Sequence, residues 1–203
     1  MSTNRPLFVA FEGIDGCGKS THAKRTATGA NARLTFEPGG TPLGQVLRQR
    51  LLDADEPMTS ETEALLMLAD RSHHVVSVIT PTLASGQSVV TDRFFGSTLA
   101  YQGYGRGLDL TSLRAATRLA IGECRPDLTI VIDLPVATAH ARRSPSKADR
   151  FESATLDFHE RVRAGFLDLA TTETGWVVIN GEQSLDAVAR DVDAALAAIG
   201  WAS

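Results

Sequence analysis

The sequence predicts an α/β protein built on a five-stranded parallel β-sheet, and three observations support this fold class. Five short apolar runs, most of them with β-branched residues, are typical of buried strands. Helical patterns separate these runs, so that strands and helices alternate along the chain. Because no internal repeat, low-complexity tract or linker divides the 203 residues, we expect a single domain over residues 1–203.

Each predicted strand ends at a polar residue and is followed by a helical pattern. The predicted strands are Leu7–Glu12, Arg33–Glu37, Ser88–Asp92, Leu128–Asp133 and Trp176–Asn180. The predicted helices are Lys19–Thr28, Leu43–Leu52, Ser60–Ala84, Leu110–Gly122, Val136–Arg142, Ala154–Thr172 and Leu185–Ile199. Ligands of an open parallel sheet bind beyond the carboxyl ends of its strands, and we therefore expect the functional residues there.

Charge and cysteine content disfavour several classes of protein. The 20 lysines and arginines against 24 acids give a net charge of −4, so no global basic field attracts the protein to nucleic acid or to an anionic membrane. Cys17 and Cys124 lack the spacing of a disulfide framework or a zinc site. The apolar runs fall short of the roughly 20 residues that a bilayer requires, and the N-terminus has no signal-peptide pattern. We expect a cytoplasmic protein without nucleic-acid or membrane partners.

A nucleotide-binding motif directly follows the first predicted strand. It matches G-x-x-x-x-G-K-[ST] and consists of Gly13, Ile14, Asp15, Gly16, Cys17, Gly18, Lys19 and Ser20, with Thr21 as the next residue. The glycines allow successive backbone N–H groups to face a phosphate, and the following helix adds its positive end. Lys19 is placed to reach the β- and γ-phosphates, and Ser20 offers a ligand to Mg²⁺. This motif predicts that residues 13–21 bind ATP or GTP.

Further motifs narrow the class of P-loop protein. The sequence lacks the guanine signature Asn-Lys-x-Asp, which disfavours a signalling GTPase. The motif E-P-G-G-T-P-L-G (37–44) begins at the last residue of one predicted strand. The motif D-R-F (92–94) begins at the last residue of another, and S-x-x-A-Y-Q-G (97–103) follows it. A-D-R (69–71) and D-R-F-E (149–152) complete the set. In this order the motifs resemble the bacterial thymidylate kinases, from Phe8 to about Leu169.

The resemblance implies a three-layer P-loop nucleoside monophosphate kinase fold, with helices on both faces of the sheet. It implies an acceptor-binding region over about residues 37–105 and the phosphorylation of dTMP to dTDP by ATP, with Mg²⁺. It also implies a homodimer, formed through the predicted helices Ser60–Ala84 and Leu110–Gly122. Such an enzyme aligns two polyanions, so cations are expected to outnumber general bases in its site.

The same resemblance assigns roles around the phosphates. Asp15 is expected to bind the deoxyribose 3′-hydroxyl, whereas Arg48 and Arg93 are expected to hold the acceptor phosphate. Asp92 is expected to bind Mg²⁺ directly or through water, and Glu37 to help organise this metal cluster.

Base and sugar recognition are also implied by the resemblance. Arg71 matches the family's arginine that binds a thymine carbonyl, and Tyr101 matches the residue that crowds the sugar 2′ position. Met67 stands where the family usually has an aromatic residue under the thymine, and its thioether keeps a polarisable apolar surface. Gln102 and Ser97 supply amide and hydroxyl groups near the base.

The long predicted helix Ser60–Ala84 has two faces. A polar row contains Glu63, Met67, Arg71 and His74, and we expect His74 to be an exposed or packing residue. An opposing, mainly apolar stripe is expected to reach the core and contains Leu65, Leu68, Ser72, Val75 and Ile79.

A basic segment, about residues 142–152, has the composition of a mobile lid. Serines and a proline interrupt its cations, which are Arg142, Arg143, Lys147 and Arg150. A lid closes on the donor phosphates, excludes water and delivers an arginine as transfer begins. Some thymidylate kinases carry this arginine in the P-loop, at the position of Gly16. We therefore expect the lid to supply it here, through Arg150 or Arg143.

Departures from the family pattern keep other functions open. Met67, and Gly96 in place of a common aspartate, leave open a kinase for another deoxynucleotide such as dUMP or a modified pyrimidine. A nucleotide-binding regulatory module without turnover is a second alternative, although the site's lysine, serine and arginines argue against it. Cys17 lies near a helix N-terminus, which lowers a thiol pKa, and this suggests that its oxidation blocks nucleotide binding.

Overall fold

The computed structural model of the protein describes residues 5–53, 55, 57–142, 150–151 and 154–201. At its centre lies one sheet of five parallel strands, β1 (Phe8–Glu12), β2 (Arg33–Phe36), β3 (Val89–Asp92), β4 (Leu128–Asp133) and β5 (Trp176–Asn180). The strands lie in the order β2-β3-β1-β4-β5, with helices around them. The predicted fold class is confirmed, and every strand lies within one residue of its predicted bounds.

The described part of the chain forms nine α-helices. Five of them, α2, α3, α6, α8 and α9, are capped at the first turn by a hydroxyl or carboxyl side chain that accepts a hydrogen bond from a backbone N–H group. The helices are α1 (Lys19–Gly29), α2 (Pro42–Leu52), α3 (Ser60–His74), α4 (Thr80–Ala84), α5 (Phe95–Thr98), α6 (Leu110–Ile121), α7 (Val136–Arg142), α8 (Leu156–Thr172) and α9 (Leu185–Ala198). Two stretches are wound more widely, as π-helices, at Val75–Ile79 and Leu99–Gly105. Among the described helices, none has the length and hydropathy needed to cross a bilayer.

Strand register brings the functional loops together. β1 is buried along its whole length, as expected of a strand covered on both faces. Asp92 at the end of β3 is paired with Phe11 of β1 on one side and with Phe36 of β2 on the other. The segments that follow these three strands therefore leave the same edge of the sheet as neighbours. They carry the P-loop, Glu37 and Arg93.

Two helical predictions need correction. The predicted helix Ser60–Ala84 is divided into α3, a π-helical segment and α4. Phe95–Gly105, for which no helix was predicted, forms α5 and a second π-helical segment. Glycines obscure the apolar spacing in this second stretch, and they are there for packing reasons. At Gly105 a Cβ atom would lie only 2.6 Å from the Phe158 ring on α8, so a larger residue would separate the two elements.

The predicted faces of α3 are also partly wrong. Leu65 is 64% exposed, although the other large residues of the apolar stripe are buried. The polar row is buried as well, and its members Glu63, Arg71 and His74 are each at most 2% exposed. The reason is that α3 packs against α2, α5, α6 and the π-helix Leu99–Gly105, so several sides of the helix are covered and Leu65 lies on a remaining one.

Candidate active site

The P-loop has the backbone shape of a phosphate cradle. Gly13, Gly16 and Gly18 have φ values of 135°, 87° and 97°, a region that favours glycine. At Gly13 a Cβ atom would also lie 2.6 Å from the carbonyl oxygen of Ile132 on β4, so glycine is required for space as well as for conformation. The loop leads directly into α1, whose N-terminal N–H groups favour an anion.

Lys19 and the Ser20–Asp92 pair lie beside this cradle. The Lys19 ammonium group lies 3.1 Å from Asp15 Oδ1 and 3.4 Å from the Ile14 carbonyl oxygen. Ser20 Oγ donates to Asp92 Oδ2 over 2.5 Å, which brings the two predicted metal ligands together. Asp92 Oδ1 is buried and has no hydrogen-bond partner among the described residues. An acceptor oxygen left in this state next to a phosphate cradle fits Mg²⁺, which prefers a few protein oxygens together with phosphate and water.

A cavity next to the P-loop collects the predicted acceptor-binding residues. Its lining includes all nine of them, namely Asp15, Glu37, Arg48, Met67, Arg71, Arg93, Ser97, Tyr101 and Gln102. These residues come from the P-loop, from the segment after β2, from α2 and α3, and from the segment after β3. Phe151, within the predicted lid segment 142–152, also lines the cavity.

Arg93 and Asp15 join the cavity to the P-loop. Arg93 has a φ of 70°, and its guanidinium group contacts Asp15 Oδ1 at 2.5 Å, Ser97 Oγ at 2.9 Å and the Tyr101 hydroxyl at 3.2 Å. Tyr101 in turn donates to Asp15 Oδ2 over 3.0 Å. Burial alone would raise the pKa of Asp15, but the charges of Arg93 and Lys19 outweigh it and hold this pKa well below its usual range. The cluster therefore keeps a carboxylate between two cations.

Glu12, which the sequence did not indicate as a site residue, supports the segment after β3 that carries Arg93. Its side chain is fully buried at the end of β1 and accepts bonds from the Phe94 N–H at 3.0 Å, the Ser97 N–H at 2.9 Å and the Ser97 hydroxyl at 2.6 Å. Burial raises the pKa of Glu12 to about 7, against the opposing effect of these bonds and of Arg93. A lone acid inside an apolar strand was the signal that could have identified it.

Gly96 faces the same carboxyl group. A Cβ atom at this position would lie 2.5 Å from Trp176 Cη2 and 2.8 Å from Glu12 Oε1. The site therefore has no room for the aspartate that is common in the family at this position.

Both carboxylate oxygens of Glu37 bind residues of α3, Arg71 and His74, and its expected role in the metal cluster stays a prediction. Arg71 Nε donates to Glu37 Oε2 over 2.7 Å, and His74 Nδ1 lies 2.8 Å from Glu37 Oε1. The other guanidinium nitrogens of Arg71 donate to Thr98 Oγ1 at 2.7 Å and to the Phe94 carbonyl oxygen at 2.9 Å. Three of the five N–H groups of Arg71 are thus used to hold it rigidly at the cavity wall.

Arg48 and Met67 complete two parts of the cavity wall. Arg48 Nη1 donates to the Pro38 carbonyl oxygen over 2.8 Å, and its guanidinium carbon lies 5.8 Å from the centroid of the Phe36 ring. Arg48 therefore lines the cavity together with two other cations, Arg71 and Arg93. Met67 lies one helical turn before Arg71 on α3 and adds a partly buried apolar surface.

The predicted lid is described in part. Arg143 and Lys147 lie outside the described residues. Arg142 donates to the Gly181 carbonyl oxygen over 3.1 Å. The side chain of Arg150 donates to the carbonyl oxygens of Leu51 and Asp53, at the end of α2, over 3.2 and 2.8 Å. Arg150 is therefore anchored beside the acceptor region in this structure.

The predicted chemistry of Cys17 was wrong in its direction. Cys17 is buried, 2% exposed, and burial raises the pKa of its thiol above the ordinary value, although Lys19 and Arg93 oppose this effect. The position near a helix N-terminus does not compensate for the loss of hydration. A low-pKa reactive thiol is not supported.

A glycine-rich loop with the shape of a phosphate cradle and a cavity lined by arginines lie together at one edge of a parallel sheet, and this arrangement is the one expected of a P-loop nucleoside monophosphate kinase. Sequence comparison identifies the family within this class. The sequence model described as thymidylate kinase matches residues 11–192, and the chain belongs to the thymidylate kinase family.

Individual relatives agree with this assignment over nearly their whole length. The chain is 45% identical to the thymidylate kinase of Desulforudis audaxviator over 201 residues, which cover 95% of this chain and 91% of that protein. It is 46% identical to the thymidylate kinase of Geobacter sulfurreducens, with 91% and 93% of the two chains covered. A crystal structure of thymidylate kinase from Ehrlichia chaffeensis superposes with a TM-score of 0.78 at 34% identity and covers 94% of this chain and 98% of that one.

Proposed function

We propose that the protein transfers the γ-phosphoryl group of ATP to the 5′-phosphate of dTMP and forms dTDP and ADP. The observation that carries this proposal is the direct contact between Arg93 and Asp15, because it joins the phosphate cradle to a cavity lined by all the predicted acceptor residues. Relatives that are named thymidylate kinases support the choice of acceptor.

The donor is held by the P-loop. Backbone N–H groups of residues 13–21 and the ammonium group of Lys19 bind the β- and γ-phosphates. Ser20 and Asp92 would hold Mg²⁺, which supplies neutralisation of the phosphate charge when it is bound. In the reaction an oxygen of the acceptor phosphate bonds to the γ-phosphorus, the bond to the β-phosphate oxygen breaks, and ADP leaves. The residues of this chain supply alignment and charge.

The acceptor is held by the cavity. Arg48 and Arg93 bind its 5′-phosphate. Asp15, beside Tyr101, accepts a hydrogen bond from the 3′-hydroxyl group of the sugar. Arg71 and Met67 contact the base from α3. Since Arg71 is already fixed by Glu37, Thr98 and Phe94, it presents its remaining N–H groups without further ordering.

The lid supplies the arginine of the transition state. We assign this role to Arg150 or Arg143, with Arg142 and Lys147 as electrostatic support. To take this role, Arg150 must leave its hydrogen bonds to the carbonyl oxygens of Leu51 and Asp53 and bind the donor phosphates instead. Lid closure is the motion that would bring it there.

A homodimer and a cytoplasmic location complete the proposal. Val76 and Leu119 are 70% and 88% exposed beside an apolar groove that the Val75–Ile79 π-helix, α4 and α6 form. A second copy of the chain would cover this large apolar surface.

The first test is an ADP-release assay with ATP and Mg²⁺ against dTMP, dUMP, UMP, dCMP, AMP and GMP. We expect a clear preference for dTMP. Arg150→Ala should lower kcat by more than about tenfold, whereas Arg190→Ala, a matched change at an exposed position on α9, should leave it unchanged.

Other results of this assay would change the proposal. A preference for dUMP would agree with Met67 in place of an aromatic residue and would redirect base recognition, while the phosphate chemistry would stand. Release of no ADP with any acceptor would favour a nucleotide-binding regulatory module.

A further inference from the structure

Glu63, a buried acid, lies next to the part of the cavity that Met67 and Gln102 line, and it has no role in the proposed reaction. Glu63 is 2% exposed and lies on α3, one turn before Met67 and two turns before Arg71. All three therefore share one face of the helix. Met67 and Arg71 line the cavity, and Glu63 continues their row behind it.

Glu63 is held by a guanidinium group on its outer side. Arg106 donates from Nε to Glu63 Oε1 over 3.2 Å and from Nη2 to Oε2 over 2.9 Å. The guanidinium carbon of Arg106 lies 4.7 Å from the centroid of the Phe158 ring and 5.9 Å from that of Phe151. A planar two-bond pair stacked on aromatic rings fixes the direction of the carboxylate.

On its inner side the same carboxylate binds Gln102. The amide nitrogen of Gln102 donates to Glu63 Oε1 over 2.9 Å, and Gln102 is 1% exposed while it lines the cavity. A carboxylate paired with a guanidinium offers only acceptors, so only the NH₂ end of the amide can face it. The carbonyl oxygen is then the polar atom that Gln102 offers to the cavity.

The part of the cavity that α3 and Gln102 line thus combines one fixed hydrogen-bond acceptor with one fixed hydrogen-bond donor. The acceptor is the carbonyl oxygen of Gln102, and the donor is the guanidinium group of Arg71. A pyrimidine with an N3–H and a 4-carbonyl group, as in thymine and uracil, complements this pair. Cytosine has a lone pair at N3 and an amino group at C4, so it mismatches both positions.

We propose that Glu63, fixed by Arg106, is a positioning residue that sets base specificity by preventing the Gln102 amide from turning over. The inference rests on the proposed function, because it assumes that the cavity takes a pyrimidine nucleotide. It adds a residue that does not touch the substrate and a reason for the rejection of cytosine.

The test is Glu63→Gln, assayed with dTMP, dUMP and dCMP. A glutamine at this position both donates and accepts, so either orientation of the Gln102 amide finds a partner. We expect the ratio of kcat/KM for dTMP to that for dCMP to fall by at least about tenfold, the cost of one buried mismatched polar group. The ratio for dTMP to dUMP should stay unchanged, since both bases present the same edge. Glu61→Gln, an exposed change in the first turn of α3, is the matched control and should alter neither ratio.

Inhibition by dCMP of dTMP phosphorylation gives a second readout that needs no turnover of dCMP. Its inhibition constant should fall relative to the KM for dTMP in Glu63→Gln. If the single variant fails to fold, Glu63→Gln with Arg106→Met removes both charges together, and the same changes are expected.

A purely structural role predicts a different result. In that case kcat/KM for all three nucleotides would fall together with unchanged ratios, and the inference would be overturned. If the wild-type enzyme phosphorylates none of the three pyrimidine nucleotides, the proposed function fails and the inference fails with it. If the wild type phosphorylates dTMP and only the ratio test fails, the proposed function stands without the inference.

Discussion

Glu12 makes the stability of this enzyme depend on pH in a direction opposite to that of a paired surface acid. Burial raises its pKa from an ordinary value of 4.5 to about 7. A carboxyl group with a raised pKa in the folded state favours folding when it is protonated. Stability from this group is therefore fully present below pH 4.5 and is lost as the pH rises through 7. The rise in pKa corresponds to about 3 kcal/mol in the free energy of unfolding, and about 2–3 kcal/mol of this is lost between pH 5 and pH 8.

The measurement compares the wild type with Glu12→Gln, which has nearly the same shape and does not titrate. Urea unfolding at several values between pH 5 and pH 8 gives the free energy of unfolding of both proteins. Asp70, whose pKa burial and the charge of Glu37 raise to about 6, titrates in the same range, but it is present in both proteins and cancels in the difference. We expect the wild type to lose about 2–3 kcal/mol relative to the variant as the pH rises.

A difference between the two proteins that stays constant across this range would refute the reasoning. It would mean that Glu12 keeps an ordinary pKa in the folded protein. The three bonds from Phe94 and Ser97, together with Arg93, would then compensate fully for the loss of hydration.

Three further predictions concern the site and the apolar face. Gly96→Ala should lower the free energy of unfolding by about 1–3 kcal/mol, because the added Cβ meets Trp176 and Glu12; unchanged urea unfolding would contradict this. Arg93→Met should lower kcat/KM for dTMP by at least about 30-fold, since it removes the partly buried cation that is proposed to bind the acceptor phosphate. An unchanged kcat/KM in steady-state kinetics would contradict the assignment of Arg93 to the acceptor site. Leu119→Glu should shift the protein to the monomer in sedimentation experiments, because it places a charge on the apolar face, and a variant that sediments like the wild type argues against that interface.

Much of the fold was predictable because its signals are local. The apolar runs of β1 to β5 and the turn residues after them placed every strand within one residue of its position. The P-loop was predictable for a similar reason, since its function depends on backbone conformations that the glycines at 13, 16 and 18 allow. The convergence of Ser20 and Asp92 followed from strand order and was predicted through the family resemblance.

Other features were not predictable because they depend on contacts between distant parts of the chain. The π-helix Leu99–Gly105 is covered by α8, and its glycines, needed for that packing, hid its helical spacing. The sequence did not indicate that both oxygens of Glu37, which the family resemblance assigned to the metal cluster, bind Arg71 and His74 of α3. The thiol of Cys17 was judged by its position near a helix N-terminus, whereas burial determines the direction of its pKa shift.

The sequence by itself determined the alternation of strands and helices, the phosphate-binding loop and the set of charged residues available to the site. These follow from patterns within a few residues, where backbone geometry and side-chain spacing act directly. The tertiary structure alone decided which of those charges are paired, which are buried and which face the cavity. Glu12 and Glu63 are ordinary acids in the sequence. They acquire a raised pKa and a positioning role, respectively, because segments more than 30 residues away bring N–H groups, a guanidinium group and an amide against them and exclude water.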